Sequence, residues 1–411
     1  MKSKLNKKLP GLKGKEAEVI TGHEKCVMNT YFRSPIVLVK GKGSYVWDIY
    51  GDRYLDFWPG WAVNSLGHCH PRLVAAVKKQ VSTLIHVSNY LYHPLQGELA
   101  QLLVETSFPG KVFFCNSGAE AVEGAIKLAR KYARTIIKRD AYEIITAINS
   151  FHGRTLGALS ATGQSKYQQD FQPLVPGFKY VPFNDLRALE KAISKKTCAV
   201  LLEPIQGEGG VKVASPEYLG GVRQVCSRNN LLMILDEVQT GLGRTGKMFA
   251  YQHYGITPDV ITVAKGLGGG VPIGATIARN EVAEALKPGM HASTFGGNPL
   301  ACAAGIAVLE TIKQQKVLNN VNRQSRYLFS NLQRLRSKFP FIKEIRGIGL
   351  LVGVELEFSG KKIVEQCQKN KLLINCTADK VLRMAPSLLV TSQEIDQAVS
   401  ILEDVFTKQN F

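Results

Sequence analysis

Two apolar stretches that each end in a charged residue decide the fold expected for this chain. They read Leu231-Leu-Met-Ile-Leu-Asp236-Glu-Val-Gln239 and Asp259-Val-Ile-Thr-Val-Ala-Lys265, and Gly266-Leu-Gly-Gly-Gly270 follows the second at once. Short apolar runs bounded by turn residues are typical of buried strands. Two such strands side by side would bring a carboxylate and an amine to the same edge of a sheet, where open α/β sheets bind their ligands.

The two charged residues themselves indicate which chemistry suits this edge. A lysine that forms a Schiff base with pyridoxal phosphate needs an acid nearby that holds the pyridine nitrogen protonated. Lys265 and Asp236 would have this relation in the expected sheet. A lone lysine after a strand is usually a solvated surface residue, so the other motifs of the chain must support the assignment.

Strands and helices alternate through the middle of the chain, which indicates an α/β fold with a mostly parallel central sheet flanked by helices. The predicted strands are Val112–Cys115, Glu143–Ile148, Cys198–Leu202, Leu231–Leu235, Val260–Ala264 and Gly274–Ala278. A helical segment is predicted from Leu300 to about Lys338, then strands near Gly347–Leu356 and Leu372–Met384. A last helix opens on the capping box Thr391-Ser-Gln-Glu394, so a smaller α+β domain is expected at the C-terminus.

A chain of 411 residues is long enough for two cores. We expect an N-terminal arm and small-domain segment at 1–75, a large cofactor-binding domain at 76–310 and a small domain at 311–411. A hairpin is predicted at Val37–Asp48. The basic start Met1–Pro10 has no apolar signal core after it, which predicts a loose arm on a cytoplasmic protein. No apolar run is long enough for a membrane span.

Charge and cysteine content narrow the expected partners. The chain carries 52 Lys and Arg against 33 Asp and Glu, a net charge of +19, which favours anionic partners. Nucleic acid is not expected, because the dense lysine cluster is confined to the first residues and no nucleic-acid module is visible. A small anionic substrate and a phosphorylated cofactor explain the charge better.

No metal site or disulfide framework is expected. The eight cysteines include no Cys-x-x-Cys pair. The cluster His68-Cys69-His70 lies between Gly67 and Pro71, which predict a turn, and further ligands at metal-site spacing are missing.

A candidate phosphate site follows the first predicted strand of the large domain. Asn116-Ser-Gly-Ala119 precedes a helix whose apolar face is Ala119, Val122, Ile126, Ala129 and Ala133. Ser117, Gly118 and Ala119 would therefore lie at a helix N-terminus, where free N–H groups and the helix dipole favour an anion. The same pattern also fits an ordinary helix cap.

Three further loops carry side chains that suit a cofactor and an anionic substrate. In Ser150-Phe151-His152-Gly153-Arg154, the aromatic ring can stack on a flat cofactor and the guanidinium can hold a carboxylate. The glycines of Glu203-Pro-Ile-Gln-Gly-Glu208-Gly-Gly210 let the backbone approach a ligand closely. The hydroxyls of Ser293 and Thr294 can donate to phosphate. Each loop alone also fits an ordinary surface segment.

Together and in this order, these segments resemble the class III pyridoxal-phosphate-dependent aminotransferases of fold type I, and most closely the N-acetylornithine aminotransferases. The resemblance runs from about Asn29 to Thr391. It rests on Asn29–Arg33, Tyr54–Phe57, Asn64–Pro71, Phe113–Ala121, Phe151–Thr155, Glu203–Gly210 and Asp236–Gly246.

The resemblance implies which residues bind the cofactor. They are Ser117, Gly118, Ala119, Phe151, Asp236, Val238, Gln239, Lys265 and Thr294. In this family the lysine carries the cofactor and later moves a proton, while the aspartate pairs with the pyridinium nitrogen. Phe151 and Val238 pack on the two ring faces and Gln239 bonds the ring hydroxyl. The threonine comes from the other subunit, so the resemblance implies a homodimer with shared active sites.

The resemblance also implies how two unlike substrates share the site. The amino donor reacts through a terminal amine, whereas 2-oxoglutarate has a carboxylate beside its reacting carbon. Glu208 would cover Arg383 for the first substrate and release it for the second. Arg154 would bind the far carboxylate of either substrate, and Ser293 is assigned to the substrate as well.

The expected reaction moves the terminal amino group of N-acetylornithine to 2-oxoglutarate, a step of arginine biosynthesis. Ornithine, succinylornithine, 4-aminobutyrate and an acylated lysine stay open as donors. Val122 stands where many relatives have asparagine, and the segment before Asn29 is longer than in typical acetylornithine enzymes. An aminomutase would not need the Glu208–Arg383 pair, and a non-enzymatic anion- or RNA-binding protein would not need Lys265.

Overall fold

The structure is a computed structural model that describes residues 14–408. The lysine-rich segment Met1–Pro10, for which the sequence predicts a loose arm, lies outside the described residues.

The strands of the described chain form four sheets. In order they are β1 Leu38–Lys42, β2 Tyr45–Asp48, β3 Arg53–Asp56, β4 Gly110–Cys115, β5 Glu143–Ala147, β6 Phe178–Val181, β7 Thr197–Leu202, β8 Ile205–Gln206, β9 Lys212–Val213, β10 Leu232–Asp236, β11 Val260–Val263, β12 Gly274–Arg279, β13 Ile342–Ile348, β14 Leu351–Leu356, β15 Leu372–Leu373, β16 Asn375–Thr377 and β17 Val381–Met384.

The α-helices of the described chain flank these sheets. In order they are α1 Gly14–Cys26, α2 Pro71–Val81, α3 Pro94–Thr106, α4 Gly118–Thr135, α5 Leu156–Ala161, α6 Ser165–Gln168, α7 Leu186–Ala192, α8 Pro216–Arg228, α9 Asn280–Ala283, α10 Pro299–Gln314, α11 Val317–Lys338, α12 Lys361–Lys369 and α13 Ser392–Thr407. Short 3-10 turns occupy Ala250–His253 and Lys265–Leu267. Within residues 14–408, no helix combines the length and the apolar character that crossing a bilayer requires.

The largest sheet has the strand order β4-β12-β11-β10-β7-β5-β6. β6, β5, β7, β10 and β11 are parallel, and β12 is antiparallel to both of its neighbours. The predicted mostly parallel sheet is confirmed. β6 was not predicted: it is an edge strand with only Val181 buried, so it has no continuous apolar run.

Both faces of this sheet are covered by apolar side chains, because successive residues of a strand point to opposite faces. In β10, Met233 and Leu235 belong to one buried cluster and Leu232 and Ile234 to another. Helix α4 covers the second cluster, and its Val122 is fully buried there. The sheet edge is therefore the place where polar groups can meet a ligand.

The N-terminal strands build onto the C-terminal part of the chain. The hairpin β1–β2 extends to β3, and β3 pairs in parallel with β15, so that Leu55 lies opposite Leu372. A separate sheet, β13-β14-β17-β16, carries Arg383. The boundaries at 75/76 and 310/311 stay predictions.

The segment predicted as one helix from Leu300 to Lys338 consists of two helices, α10 and α11. The chain turns at Lys316, which adopts a left-handed backbone conformation with φ of 50°. Helix ends of this kind usually carry glycine, and a lysine there provides no signal in the sequence.

The predicted capping box of α13 is confirmed. Thr391 Oγ1 accepts a hydrogen bond from the backbone N–H of Glu394 at 3.3 Å, and Glu394 Oε2 accepts one from the backbone N–H of Thr391 at 2.8 Å. The apolar residues expected on one face of the helix are all buried, namely Ile395, Val399, Leu402 and Val405.

Replacing Thr391 with alanine should destabilise the first turn of α13, because the side-chain acceptor for the Glu394 N–H is lost. Loss of an N-cap hydroxyl costs about 1 kcal/mol, which corresponds to a roughly fivefold larger equilibrium constant for local opening and to faster hydrogen exchange. Hydrogen exchange followed by mass spectrometry on peptides covering residues 391–396 measures this. Thr391→Ser retains the acceptor and serves as the control; equal exchange in the two variants would contradict the capping role.

Candidate active site

A cavity of about 440 Å³ lies at the edge where the parallel strands end. Its walls come from the segments that directly follow β4, β5, β7, β10 and β11. Most residues predicted for the site line it, namely Ser117, Gly118, Ala119, Phe151, Arg154, Asp236, Val238, Gln239 and Lys265. Glu208, Ser293, Thr294 and Arg383 are not among its lining residues.

Asp236 and Lys265 reach this cavity from neighbouring strands, as the sequence predicts. Asp236 is the last residue of β10 and lies opposite Thr262 of β11. Lys265 follows β11 after one residue and has φ of 39°, in the left-handed region. A non-glycine residue held there is strained, and such strain is found disproportionately at functional sites.

The amine of Lys265 lies in surroundings that disfavour its charge. Burial lowers its pKa to about 8, while the carboxylates of Glu208 and Asp236 act in the opposite direction. Within residues 14–408, the amine makes neither an ion pair nor a side-chain hydrogen bond. A substantial neutral fraction near physiological pH suits a nucleophile and a proton acceptor.

Asp236 is 4% exposed and is held from three sides. Its Oδ1 accepts hydrogen bonds from Thr262 Oγ1 at 3.0 Å and from the backbone N–H of Val238 at 3.1 Å. Its Oδ2 lies 2.8 Å from Nδ1 of His152, which lines the cavity and is itself buried. These contacts fix the carboxylate in one orientation.

His152 received no role from the sequence. Its position between Phe151 and Arg154 was the available signal, but its contact with Asp236 joins residues 84 positions apart in the chain. Its Nε2 is buried and has no hydrogen-bond partner within residues 14–408.

The candidate phosphate site has the geometry of a helix N-terminus. Ser117 is the N-cap of α4, and its Oγ accepts from the backbone N–H of Glu120 at 3.2 Å. The backbone N–H groups of Gly118 and Ala119 have no acceptor within the described chain. A Cβ on Gly118 would come within 2.9 Å of Val238 Cγ1, so glycine permits this close approach.

The aromatic loop after β5 carries Phe151 and Arg154 to the cavity. The backbone N–H of Phe151 donates to Glu203 Oε2 at 2.9 Å. The ring of Phe151 meets Tyr167 edge-on at 5.8 Å, and the exposed guanidinium of Arg154 lies 4.0 Å from the centre of the Tyr167 ring. Tyr167 was not predicted, because it belongs to a separate short helix.

Glu208 and Arg383 form an ion pair with a distance of 2.6 Å. Burial acts to raise the pKa of Glu208, but the Arg383 guanidinium outweighs it and the pKa is lowered. Gln239 Nε2 donates to the same carboxylate oxygen of Glu208 at 3.4 Å, which connects the pair to the cavity wall.

Ser293 and Thr294 occupy one loop but have different surroundings. Ser293 Oγ accepts from the backbone N–H of Gly296 at 3.0 Å and from Nδ2 of Asn116, a cavity residue, at 3.2 Å. Thr294 is exposed and lies outside the cavity walls.

Among residues 14–408, no three His, Cys, Asp or Glu side chains are grouped so that they could hold a metal ion. His68 is 2.9 Å from the carboxylate of Asp56.

Comparison with known proteins identifies relatives that share nearly the whole chain. The family Aminotransferase class-III matches residues 27–406. The acetylornithine aminotransferase of Caldanaerobacter subterraneus subsp. tengcongensis is 57% identical over 394 residues, 96% of this chain and 100% of that protein. The acetylornithine aminotransferase of Methanocaldococcus jannaschii is 53% identical and covers 94% of this chain and 97% of its own length.

A solved structure with the same fold is the ornithine aminotransferase of Toxoplasma gondii crystallized in the presence of oxidized glutathione, which has partial occupancy of PLP at its active site. It superposes with a TM-score of 0.91 at 37% identity over 96% of this chain and 95% of that chain. Class-III aminotransferases depend on pyridoxal phosphate and use an amino donor and a keto acid. The match over residues 27–406, the two relatives above 50% identity and the shared fold establish that this chain is a member of the class-III aminotransferase family.

Proposed function

We propose that this chain transfers the terminal amino group of N-acetylornithine to 2-oxoglutarate and produces N-acetylglutamate 5-semialdehyde and glutamate, a step of arginine biosynthesis. The observation that carries the proposal is a buried arginine, Arg383, covered by the carboxylate of Glu208 next to the cavity of Lys265. Two substrates that differ in charge beside the reacting carbon need such a removable cover. The names of the relatives at 57% and 53% identity support the donor.

The cavity fits pyridoxal phosphate as cofactor. Free backbone N–H groups at Gly118 and Ala119 suit its phosphate, with Ser117 beside them. Asp236 suits the pyridine nitrogen. Gln239, whose buried Oε1 has no hydrogen-bond partner in the described chain, suits the ring hydroxyl. Val238 and Phe151 would cover the ring faces, and Lys265 would hold the cofactor covalently. When bound, pyridoxal phosphate supplies an electron sink that weakens the C–H bond of the substrate's reacting carbon.

The residues of the chain would orient the reactants and handle the proton. Lys265, with its lowered pKa, accepts a proton at Nζ and returns it. His152 and Thr262 hold the Asp236 carboxylate in the orientation that a pyridinium partner requires. Because these groups are in place before a substrate arrives, little reorganisation is needed during the reaction.

Substrate discrimination would depend on the two arginines. With Glu208 over Arg383, the pair presents little net charge to the methylene beside the donor's terminal amine. With Glu208 turned away, Arg383 can bind the carboxylate next to the keto group of 2-oxoglutarate in a bidentate manner. Arg154, exposed beside Tyr167, would bind the carboxylate at the far end of either substrate.

Ornithine is the second candidate donor, since an ornithine aminotransferase superposes with a TM-score of 0.91. The two donors react at the same amine and differ at the other amine, which is acetylated in one and charged in the other.

We expect N-acetylornithine to be preferred over ornithine by at least about tenfold in kcat/KM, because a charged amine that loses its water without a partner binds poorly. Adding each donor without keto acid and following the visible absorbance of the holoenzyme measures the first half-reaction. 4-Aminobutyrate, which has no acylated amine and holds its carboxylate one carbon closer to the reacting amine, is the control. A preference for ornithine would reject the proposed donor and leave the family assignment intact.

Uptake of pyridoxal phosphate by the protein stripped of cofactor should accelerate as the pH rises, with a midpoint of about 8. Only the neutral amine of Lys265 can attack the aldehyde, and its pKa lies near that value. The growth of visible absorbance in a stopped-flow instrument measures the rate. Lys265→Ala should show no such band and no turnover. Free Nα-acetyl-lysine, which has an ordinary side-chain amine, is the reference under the same conditions. A midpoint near that of free lysine would contradict the assignment.

We also infer that the active form is a homodimer, since large apolar side chains are exposed beside the loop of Thr294. Leu84, Ile85 and Tyr90–Tyr92 are exposed, and the ring of His86 lies 5.2 Å from that of exposed Phe295. Contiguous apolar surface of this kind marks an interaction site. A second copy of the chain would cover it and bring Thr294 of the partner subunit to the phosphate.

Mixing two defective variants tests this sharing. Thr294→Ala should lower activity about tenfold through loss of a hydrogen bond to phosphate, and Lys265→Ala should be inactive. Refolded together in equal amounts, they should recover about a quarter of wild-type activity, because half of the dimers are mixed and each holds one intact site. Activity in the mixture no higher than that of Thr294→Ala alone would contradict a shared site.

A further inference from the structure

Arg383 is the largest fully buried side chain in the described part of the chain. A guanidinium has five N–H donors and stays charged, so burying it is costly unless those donors are engaged. Glu208 meets one nitrogen, Nη1. If this carboxylate swings away, other groups must keep the guanidinium in its place.

The indole ring of Trp58 lies directly against the guanidinium. The central carbon of the Arg383 guanidinium is 4.0 Å from the centre of the ring, within the range of a cation–π contact. The ring packs against a small apolar cluster that includes Ile205, Val211 and Ala385. Its Nε1 is buried without a hydrogen-bond partner in the described chain. An indole usually pairs its N–H when buried, so packing and the cation rather than hydrogen bonding fix this ring.

Asn375 holds the other two nitrogens of the same guanidinium. Its Oδ1 accepts from Nη2 at 2.9 Å and from Nε at 3.3 Å. Asn375 on β16 lies opposite Arg383 on β17, so the antiparallel pairing of these strands sets the contact. Neither Asn375 nor Trp58 carries a charge that could compete for a carboxylate.

The same short strand also restrains the backbone of Glu208. Thr377 Oγ1 donates to the carbonyl oxygen of Glu208 at 2.7 Å. Apart from its ion pair with Arg383, the side chain of Glu208 accepts a hydrogen bond from Gln239 Nε2, and that bond is long, at 3.4 Å. In the proposed function, a movement of Glu208 would therefore be confined to its side chain, and Arg383 would keep its contacts with Trp58 and Asn375.

We propose that Trp58 and Asn375 form a fixed seat for the Arg383 guanidinium and thereby act as positioning residues for the keto-acid carboxylate. The inference rests on the proposed function, in which Arg383 is uncovered for 2-oxoglutarate. An arginine held in advance by a ring face and an amide oxygen loses little conformational entropy when the carboxylate binds. Because Trp58 and Asn375 contact the guanidinium, it would keep its position when the carboxylate of Glu208 moves away.

The test compares the two half-reactions in Trp58→Leu, Trp58→Phe and Asn375→Ala. Trp58→Leu removes the ring and keeps an apolar side chain, whereas Trp58→Phe retains an aromatic face. Trp47→Leu is the matched control, because Lys40 lies 5.0 Å from the centre of its ring in a different sheet. Glutarate, a dicarboxylate that cannot react, provides a direct affinity by titration calorimetry on the holoenzyme.

Trp58→Leu and Asn375→Ala should raise the KM for 2-oxoglutarate and the Kd for glutarate about tenfold. The half-reaction with N-acetylornithine should stay within about twofold of wild type, since Arg383 is covered there. Trp58→Phe should restore most of the affinity, and Trp47→Leu should resemble wild type.

An equal loss in both half-reactions, or unchanged glutarate binding in both variants, would overturn the seat. If N-acetylornithine fails as donor while glutarate binding depends on Trp58 and Asn375, the proposed donor is wrong and the seat stands. If N-acetylornithine reacts normally while glutarate is insensitive to both residues, the seat is wrong and the proposed function stands.

Discussion

The parallel pairing of β10 with β11 is the constraint on which the candidate site depends. It sets Asp236 opposite Thr262, whose hydroxyl donates to the carboxylate, and it brings Lys265 to the same edge one short turn later. A shift of this register by one residue would point Asp236 to the other face of the sheet, away from Thr262 and His152. The proposed catalytic groups thus take their geometry from backbone hydrogen bonds of β10, a strand whose residues are all buried.

Burial on both faces of the sheet provides the electrostatic setting. Helices lie on either side of the sheet, and the loss of solvation on burial lowers the pKa of Lys265 to about 8. The same burial raises the pKa of Glu203 to about 7. Glu203 lines the cavity and accepts a hydrogen bond from the backbone N–H of Phe151. In a low-polarity interior the attraction between charged groups is stronger, so the ion pairs near the cavity restrain their side chains closely.

In the proposed function, the arginine end of the site has the opposite requirement, because the ion pair between Glu208 and Arg383 must break when the keto acid binds. Arg383 combines a charged partner, Glu208, with two uncharged ones, Trp58 and Asn375. The uncharged contacts come from segments far apart in sequence, one after β3 and one on β16. Their meeting follows from the way the N-terminal strands add to the C-terminal part of the chain through β15.

The amino-acid sequence by itself determined the elements whose signals are local. The buried strands of the central sheet, the capping box at Thr391 and the N-cap at Ser117 were predictable because runs of apolar residues and cap hydroxyls act over a few positions. The edge strand β6 and the helix break at Lys316 were not predictable. An exposed edge strand needs no apolar run, and lysine is not a residue type that signals a left-handed backbone.

Motif order also identified the residues around the cavity, because each follows a strand and parallel strands end at one edge. Only the tertiary structure decided which side chains from distant parts of the sequence contact the site residues. His152 on Asp236 and Trp58 and Asn375 on Arg383 are contacts between segments that the chain order leaves unrelated. Side-chain contacts of this kind depend on packing between layers and on strand register, and these quantities are set by the whole fold rather than by neighbouring residues.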